Sequence, residues 1–157
     1  MKKSLIVLLF LTGCGFRPMF SGQDTDIYVA PISGINGIEL RNSLNAKFGG
    51  MRDAGAKYTL VVTLANPVTQ YKALERTGDA TWQQVSITAD FVLRHGEDTI
   101  ASGREVAAES YSFVRYLVAA NASQNDAVQN IVNVLSDKIS VRAITATAEY
   151  EKQHPEK

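Results

Sequence analysis

Only one cysteine, Cys14, occurs in the 157 residues of this chain, and the long stretch after it has none. That absence excludes an internal disulfide and any cysteine-based metal centre in the body of the protein. Histidine is almost as scarce. His95 and His154 lie far apart in the sequence, without carboxylates spaced around them as metal ligands would need, so no metal or cofactor is expected. A Gly-x-Ser-x-Gly elbow is missing, and no nucleophile stands in a pattern with a histidine base, which leaves an enzymatic reading with nothing to rest on. There is no excess of charge: 16 basic residues balance 16 acidic ones. A general nucleic-acid binder should be strongly basic, so nucleic acid is not an expected partner. Long apolar runs are absent as well. Later stretches such as Tyr58 to Ala65 have the length of a strand and not of a membrane-spanning helix.

What the chain does have begins at its N-terminus. Lys2 and Lys3 form a positive n-region, and Leu5 to Leu11 an apolar stretch too short to cross a bilayer. Leu11-Thr12-Gly13-Cys14 follows, placing a small residue before the cysteine as signal-peptide cleavage requires. This pattern resembles a bacterial lipobox, which implies acylation of the Cys14 thiol (palmitate among the acyl groups) and a new N-terminus at that residue. Gly15, and not aspartate, comes next, which in Gram-negative lipoproteins implies export to the outer membrane. Stable anchoring takes more than one acyl chain, and a mature lipoprotein of this kind carries three. Cleavage before Cys14 leaves 144 of the 157 residues, enough for one domain with a real core; losing Lys2 and Lys3 takes the formal net charge from 0 to −2.

Beyond a leader over residues 14–25, Asp26-Ile27-Tyr28-Val29-Ala30 reads as a first strand closed by Pro31. Asn36 is a candidate N-cap for a helix through Phe48, ended by Gly49-Gly50. Ile38, Leu40, Leu44 and Phe48 give that helix one apolar stripe, with Arg41, Asn42, Asn45 and Lys47 facing away. Residues 58–64 and 85–93 alternate apolar and polar side chains as half-buried strands do. Residues 58–94 are therefore expected to form one long hairpin, with its turn at Arg76-Thr77-Gly78-Asp79 and a bulge or edge break at Pro67. After a second turn at His95-Gly96-Glu97-Asp98, a further strand should run from about Thr99 to Tyr111, weakened at Gly103. A last helix begins near residues 121–123, its apolar face set by Val128, Ile131, Val132, Leu135 and Ile139. The pattern fades after Ile144, and residues 149–157 read as a frayed polar tail. The expected fold is α+β: a two-layer sandwich in β-α-β-β-β-α order, two helices on one face of a four-stranded mixed or antiparallel sheet. The expected divisions are a signal peptide at 1–13, the lipidated leader at 14–25, the domain at 26–148 and the tail.

Several motifs, in this order, resemble the LPS-assembly lipoprotein LptE family in its alphaproteobacterial form. They are Cys14-Gly15-Phe16-Arg17-Pro18, Leu40-Arg41-Asn42-Ser43-Leu44, Ile87-Thr88-Ala89-Asp90-Phe91-Val92-Leu93, Ser110-Tyr111-Ser112 and Asn125-Asp126-Ala127. The resemblance implies a non-enzymatic outer-membrane lipoprotein. It would plug the lumen of an LptD-like β-barrel as a one-to-one hetero-complex, help that barrel assemble, and bind lipopolysaccharide on its way to the outer leaflet. It also implies a basic contact to lipopolysaccharide at Arg76. From periodicity, Lys72, Leu74 and Arg76 share a strand face, pairing two cations with an apolar residue as a phosphorylated lipid requires. The family's second basic position aligns with Asn121, which carries no charge; Arg115 is the candidate to compensate. Tyr71 and Trp82 lie near the same tip, where strand aromatics ordinarily cover core. The competing reading is another outer-membrane accessory lipoprotein, of pilotin or transport-auxiliary type, with a different membrane partner.

Overall fold

In a computed structural model that describes residues 25–74, 80–112 and 117–155, the chain forms a five-stranded mixed sheet with two helices packed on one face. Strand β1 (Ile27–Val29) lies parallel to β2 (Tyr58–Leu64), and helix α1 (Ile35–Lys47) connects them. Strands β3 (Val68–Leu74), β4 (Ala80–His95) and β5 (Asp98–Ser112) follow, and helix α2 (Leu117–Gln153) closes the order. The α+β sandwich holds as expected, with one strand more.

The additional strand comes from the Pro67 break. β2 pairs with residues 89–94 of β4, and β3 with residues 80–86 of the same edge, so the two lie end to end along one long strand. Between them, residues 65–67 face only Ile87 and Thr88, with the Ala65 amide donating to the Thr88 carbonyl at 2.9 Å. One extra residue reverses the alternation. Tyr58, Leu60 and Val62 point to the helices in β2, whereas Thr69 and Tyr71 stand opposite the helix-facing Val85 and Gln83 in β3. The other edge of β4 pairs with β5 over nearly its full length. Gly96 makes the β4–β5 turn possible: at φ 59° it holds the first of two turn positions, where a type II′ hairpin demands positive φ.

The core lies between the sheet and the helices. Ile27, Leu60, Ile87, Phe91 and Leu93 come from the strands, and Leu40, Leu44, Phe48, Leu135 and Ile139 from the helices. Three expectations about the helices are corrected. Asn45, assigned to the outward face of α1, is buried, while Ile38 is exposed; the buried stripe is Gly37, Leu40, Leu44 and Phe48. Gly37 belongs to that stripe because a Cβ there would stand 2.8 Å from Ile32 Cγ2 and 2.9 Å from its carbonyl oxygen. The N-cap of α1 is Gly34 and not Asn36, with no side-chain cap bond. Helix α2 starts before residue 121 and continues through Gln153, well past the predicted fade. Small residues carry its buried face onward, from Ser136, Ser140 and Ala143 to Thr147 beyond the fade. Glu149–Gln153 is helical because Tyr150 packs between His95 and His154, and Glu151 accepts hydrogen bonds from the Tyr58 hydroxyl at 3.0 Å and Lys57 Nζ at 3.3 Å.

Candidate functional site

The sheet outruns α1. Past Leu64 only β3, the first half of β4 and the second half of β5 continue, backed by the first turns of α2, so this part of the molecule is a tongue attached to a thicker body. On its helix side Gln83 and Tyr111 are buried and bonded, the Tyr111 hydroxyl standing 2.7 Å from Gln83 Oε1. Burial pushes the Tyr111 phenol above its usual range. Gln124 reaches across from α2 to Thr69 Oγ1 at 3.4 Å.

Tyr71 and Trp82, expected over core, are exposed at 71% and 48%. Tyr71 stands on β3 at the edge of the sheet, and Trp82 belongs to the open face opposite the helix-facing Gln83. Val68 and Val118 add exposed apolar surface to the same region. Lys72 is exposed there too, its ammonium 3.3 Å from Gln70 Oε1. The shared face expected for Lys72, Leu74 and Arg76 does not follow from the backbone. Register shifts occur between Tyr71 and Ala73 and again between Ala73 and Leu74, leaving Lys72 without a partner residue and breaking strict alternation. Arg76, Arg115 and Cys14 lie outside the described residues, as do the signal peptide and nearly all of the leader. Asn121 is an exposed residue of α2.

A cleft of about 610 Å³ opens where α1 begins beside the β2–β3 joint. Asn36, Asn66 and Asn125 line it with the carboxylates of Glu39 and Asp126, and among the described residues no lysine or arginine does. A phosphorylated lipid would meet repulsion there. The body has its own polar cluster, in which both histidines meet. Tyr150 Oη and His95 Nδ1 are 3.2 Å apart, His154 stacks on the Tyr150 ring with centroids 4.3 Å apart, and Tyr58 meets His95 at 5.4 Å. These contacts fill the imidazoles' surroundings with phenols, a structural use of histidine that the sequence pattern did not show. Among the described residues no group of three or more potential metal ligands comes together.

The face of the sheet away from the helices is open. Thr59, Val61 and Thr63 of β2, Ser86, Thr88, Asp90 and Val92 of β4, and Arg104, Val106 and Ala108 of β5 are half-buried or exposed on it. Its central charges are matched: Arg104 Nε donates to Asp90 Oδ1 at 2.7 Å and Nη2 to Oδ2 at 3.1 Å, and this bidentate bond holds the Asp90 carboxyl below its ordinary range. Among the described residues no helix is long and apolar enough to cross a membrane.

No protein-family model and no curated protein matches the chain. Solved structures do match it in fold. A candidate lipoprotein from Caulobacter crescentus has 19% identity and a TM-score of 0.64, over 80% of this chain and 93% of that one. The rare lipoprotein B of Shewanella oneidensis has 15% identity and a TM-score of 0.62, over 82% and 98%. An uncharacterised lipoprotein B from Nitrosomonas europaea has 10% identity and a TM-score of 0.59, over 82% and 87%. The chain therefore has the fold of these bacterial lipoproteins.

Proposed function

We propose that this protein is an outer-membrane lipoprotein, anchored through Cys14, that occupies the lumen of an LptD-like β-barrel and contacts lipopolysaccharide there, without catalysing a reaction. The observation that carries this reading is the fold held in common with rare lipoprotein B and other bacterial lipoproteins, on a chain that opens with a lipobox-like stretch. The open sheet face suits a barrel interior. It offers hydroxyls and short side chains with its central charges already matched, and the lumen of a large barrel is polar. The tongue is the end assigned to lipopolysaccharide. Exposed Tyr71 and Trp82 offer apolar contact for acyl chains, Lys72 offers charge, and Arg76 follows within the five residues joining β3 to β4. Arg115, in the residues leading into α2, is proposed to supply the cation that Asn121 lacks.

The test is a detergent pull-down of the tagged, lipidated protein from its own envelope, with mass spectrometry of what stays bound. One large β-barrel in equal amount to the bait is the expected result. Recovery of a different membrane partner, or of none, overturns the barrel assignment and leaves an accessory lipoprotein of the same fold.

A further inference from the structure

The outer edge of β5 is the longest strand edge in the molecule without a neighbouring strand among the described residues. Two hydrogen bonds establish which backbone groups face out along it. The Thr88 carbonyl of β4 is taken by the Ala65 amide on the far side, and the Val106 carbonyl of β5 accepts Lys138 Nζ at 2.8 Å on the near side. Thr88 and Val106 are opposite one another, so they form a non-hydrogen-bonded pair of the antiparallel ladder. The register runs without interruption from Ala101 to Ser112. Ser102, Arg104, Val106, Ala108, Ser110 and Ser112 therefore direct both amide and carbonyl outward. Most of these residues are serine or alanine and none is proline, so little stands in the way of an approaching chain.

Helix α2 overhangs this edge. Val134, Lys138 and Val141 share one face of it (i, i+4, i+7), and Val134 and Val141 are 42% and 45% exposed. Below Val141 a groove of about 280 Å³ runs between the helix and the sheet, walled by Phe91, Ala101, Arg142 and Ala146. Gly103 keeps this region close-packed: a Cβ there would come within 2.8 Å of Arg142 Nη1 and 3.0 Å of Phe91 Cε1. Arg142 is held by Glu105, Nε to Oε1 at 2.9 Å, and Lys138 has the same carboxylate 3.8 Å away. Lys138 can thus leave the Val106 carbonyl and keep a partner.

We propose that the β5 edge and this groove form a strand-addition site for an extended segment of a partner polypeptide that carries an apolar side chain into the groove. The occupant follows from the hydrogen-bonding chemistry. Outward donors and acceptors recur every second residue, about 7 Å apart, a spacing that another extended peptide matches and a lipid or sugar does not. Backbone pairing supplies affinity, and the groove under Val141 selects the side chain.

The test needs no barrel and so stands or falls apart from the function proposed above. Random dodecapeptides displayed on phage are selected on the immobilised full chain, and synthetic copies of those recovered are titrated against variants. Ser102→Pro removes an amide that points away from β4, so the internal ladder stays whole. Ser102→Pro and Val141→Glu should each weaken binding by about tenfold or more, and Val61→Glu, on the open face, by less than about twofold. Should Ser102→Pro unfold the chain, amide exchange on wild type decides: peptide must slow Arg104, Val106 and Ala108. Selection of no peptide, equal binding by Val141→Glu, or protection confined to the open face overturns the proposal. A self-associated dimer abolished by Ser102→Pro would assign the edge to a second copy and overturn the stated occupant.

Discussion

Tyr58 sits at the rim of the core with its ring buried and its hydroxyl donating to Glu151 Oε1 at 3.0 Å. Burial raises its pKa first, and the hydrogen bond and charge of Glu151 raise it further. Tyr111 is shifted the same way, also chiefly by burial. Both folded values stand above the unfolded tyrosine value of about 10, so the neutral phenol belongs to the folded state. Their contribution is complete below that unfolded value and is lost as pH rises through the folded ones. Denaturant midpoints should therefore fall between about pH 9 and about pH 11, and Tyr58→Phe should flatten that fall. An identical slope in wild type and Tyr58→Phe would show that the phenol does not carry the effect. Asp90 has the opposite sign. Its lowered pKa, caused by the Arg104 bond, favours the fold at neutral pH and stops doing so as acid protonates it, though so exposed a pair is screened by water.

At the scale of elements, the last turns of α2 matter more than their polar sequence implies. Tyr150 joins His95, Tyr58 and His154, so Tyr150→Ala should cost about 2 kcal/mol in equilibrium unfolding. Tyr150→Phe, which keeps the ring and loses the hydroxyl beside His95, should cost about 1 kcal/mol or less. A frayed tail would make both substitutions silent. The sequence hid this packing because the buried face beyond Ile139 is built from Ala143 and Thr147, which carry no hydrophobic period. Where the face is aliphatic, as at Ile131, Val132, Leu135 and Ile139, the helix and its orientation were legible. The alternation of Tyr58–Leu64 and Val85–Leu93 likewise revealed two strands and their shared core face. Pro67 marked the break after β2, but no alternation marks the register shifts between Tyr71 and Leu74 that leave Lys72 without a partner residue. Asn45 was misplaced because a buried amide looks like any polar residue on a helical wheel.

For the whole molecule, β4 sets the distance between the two ends. Arg94 and Ala80 are separated by about 45 Å of extended strand, well beyond the screening length of roughly 8 Å in physiological salt. Charge reversal at one end should leave the other undisturbed. Arg76→Asp is expected to weaken lipopolysaccharide binding by about fivefold or more, while the same reversal at exposed Arg94 should leave it near wild type in a calorimetric titration. Equal losses would mean diffuse attraction and no localised contact.

Helix α2 follows every strand in the chain, yet it covers β4 and β5 and braces α1. A chain synthesised N-terminus first thus completes its sheet while α1 alone is there to roof it. For that interval Val85, Ile87, Phe91 and Leu93 face water or a chaperone. Arrival of the helix is the event that commits the domain, so the time of greatest exposure to aggregation and proteolysis is set by the last element to emerge.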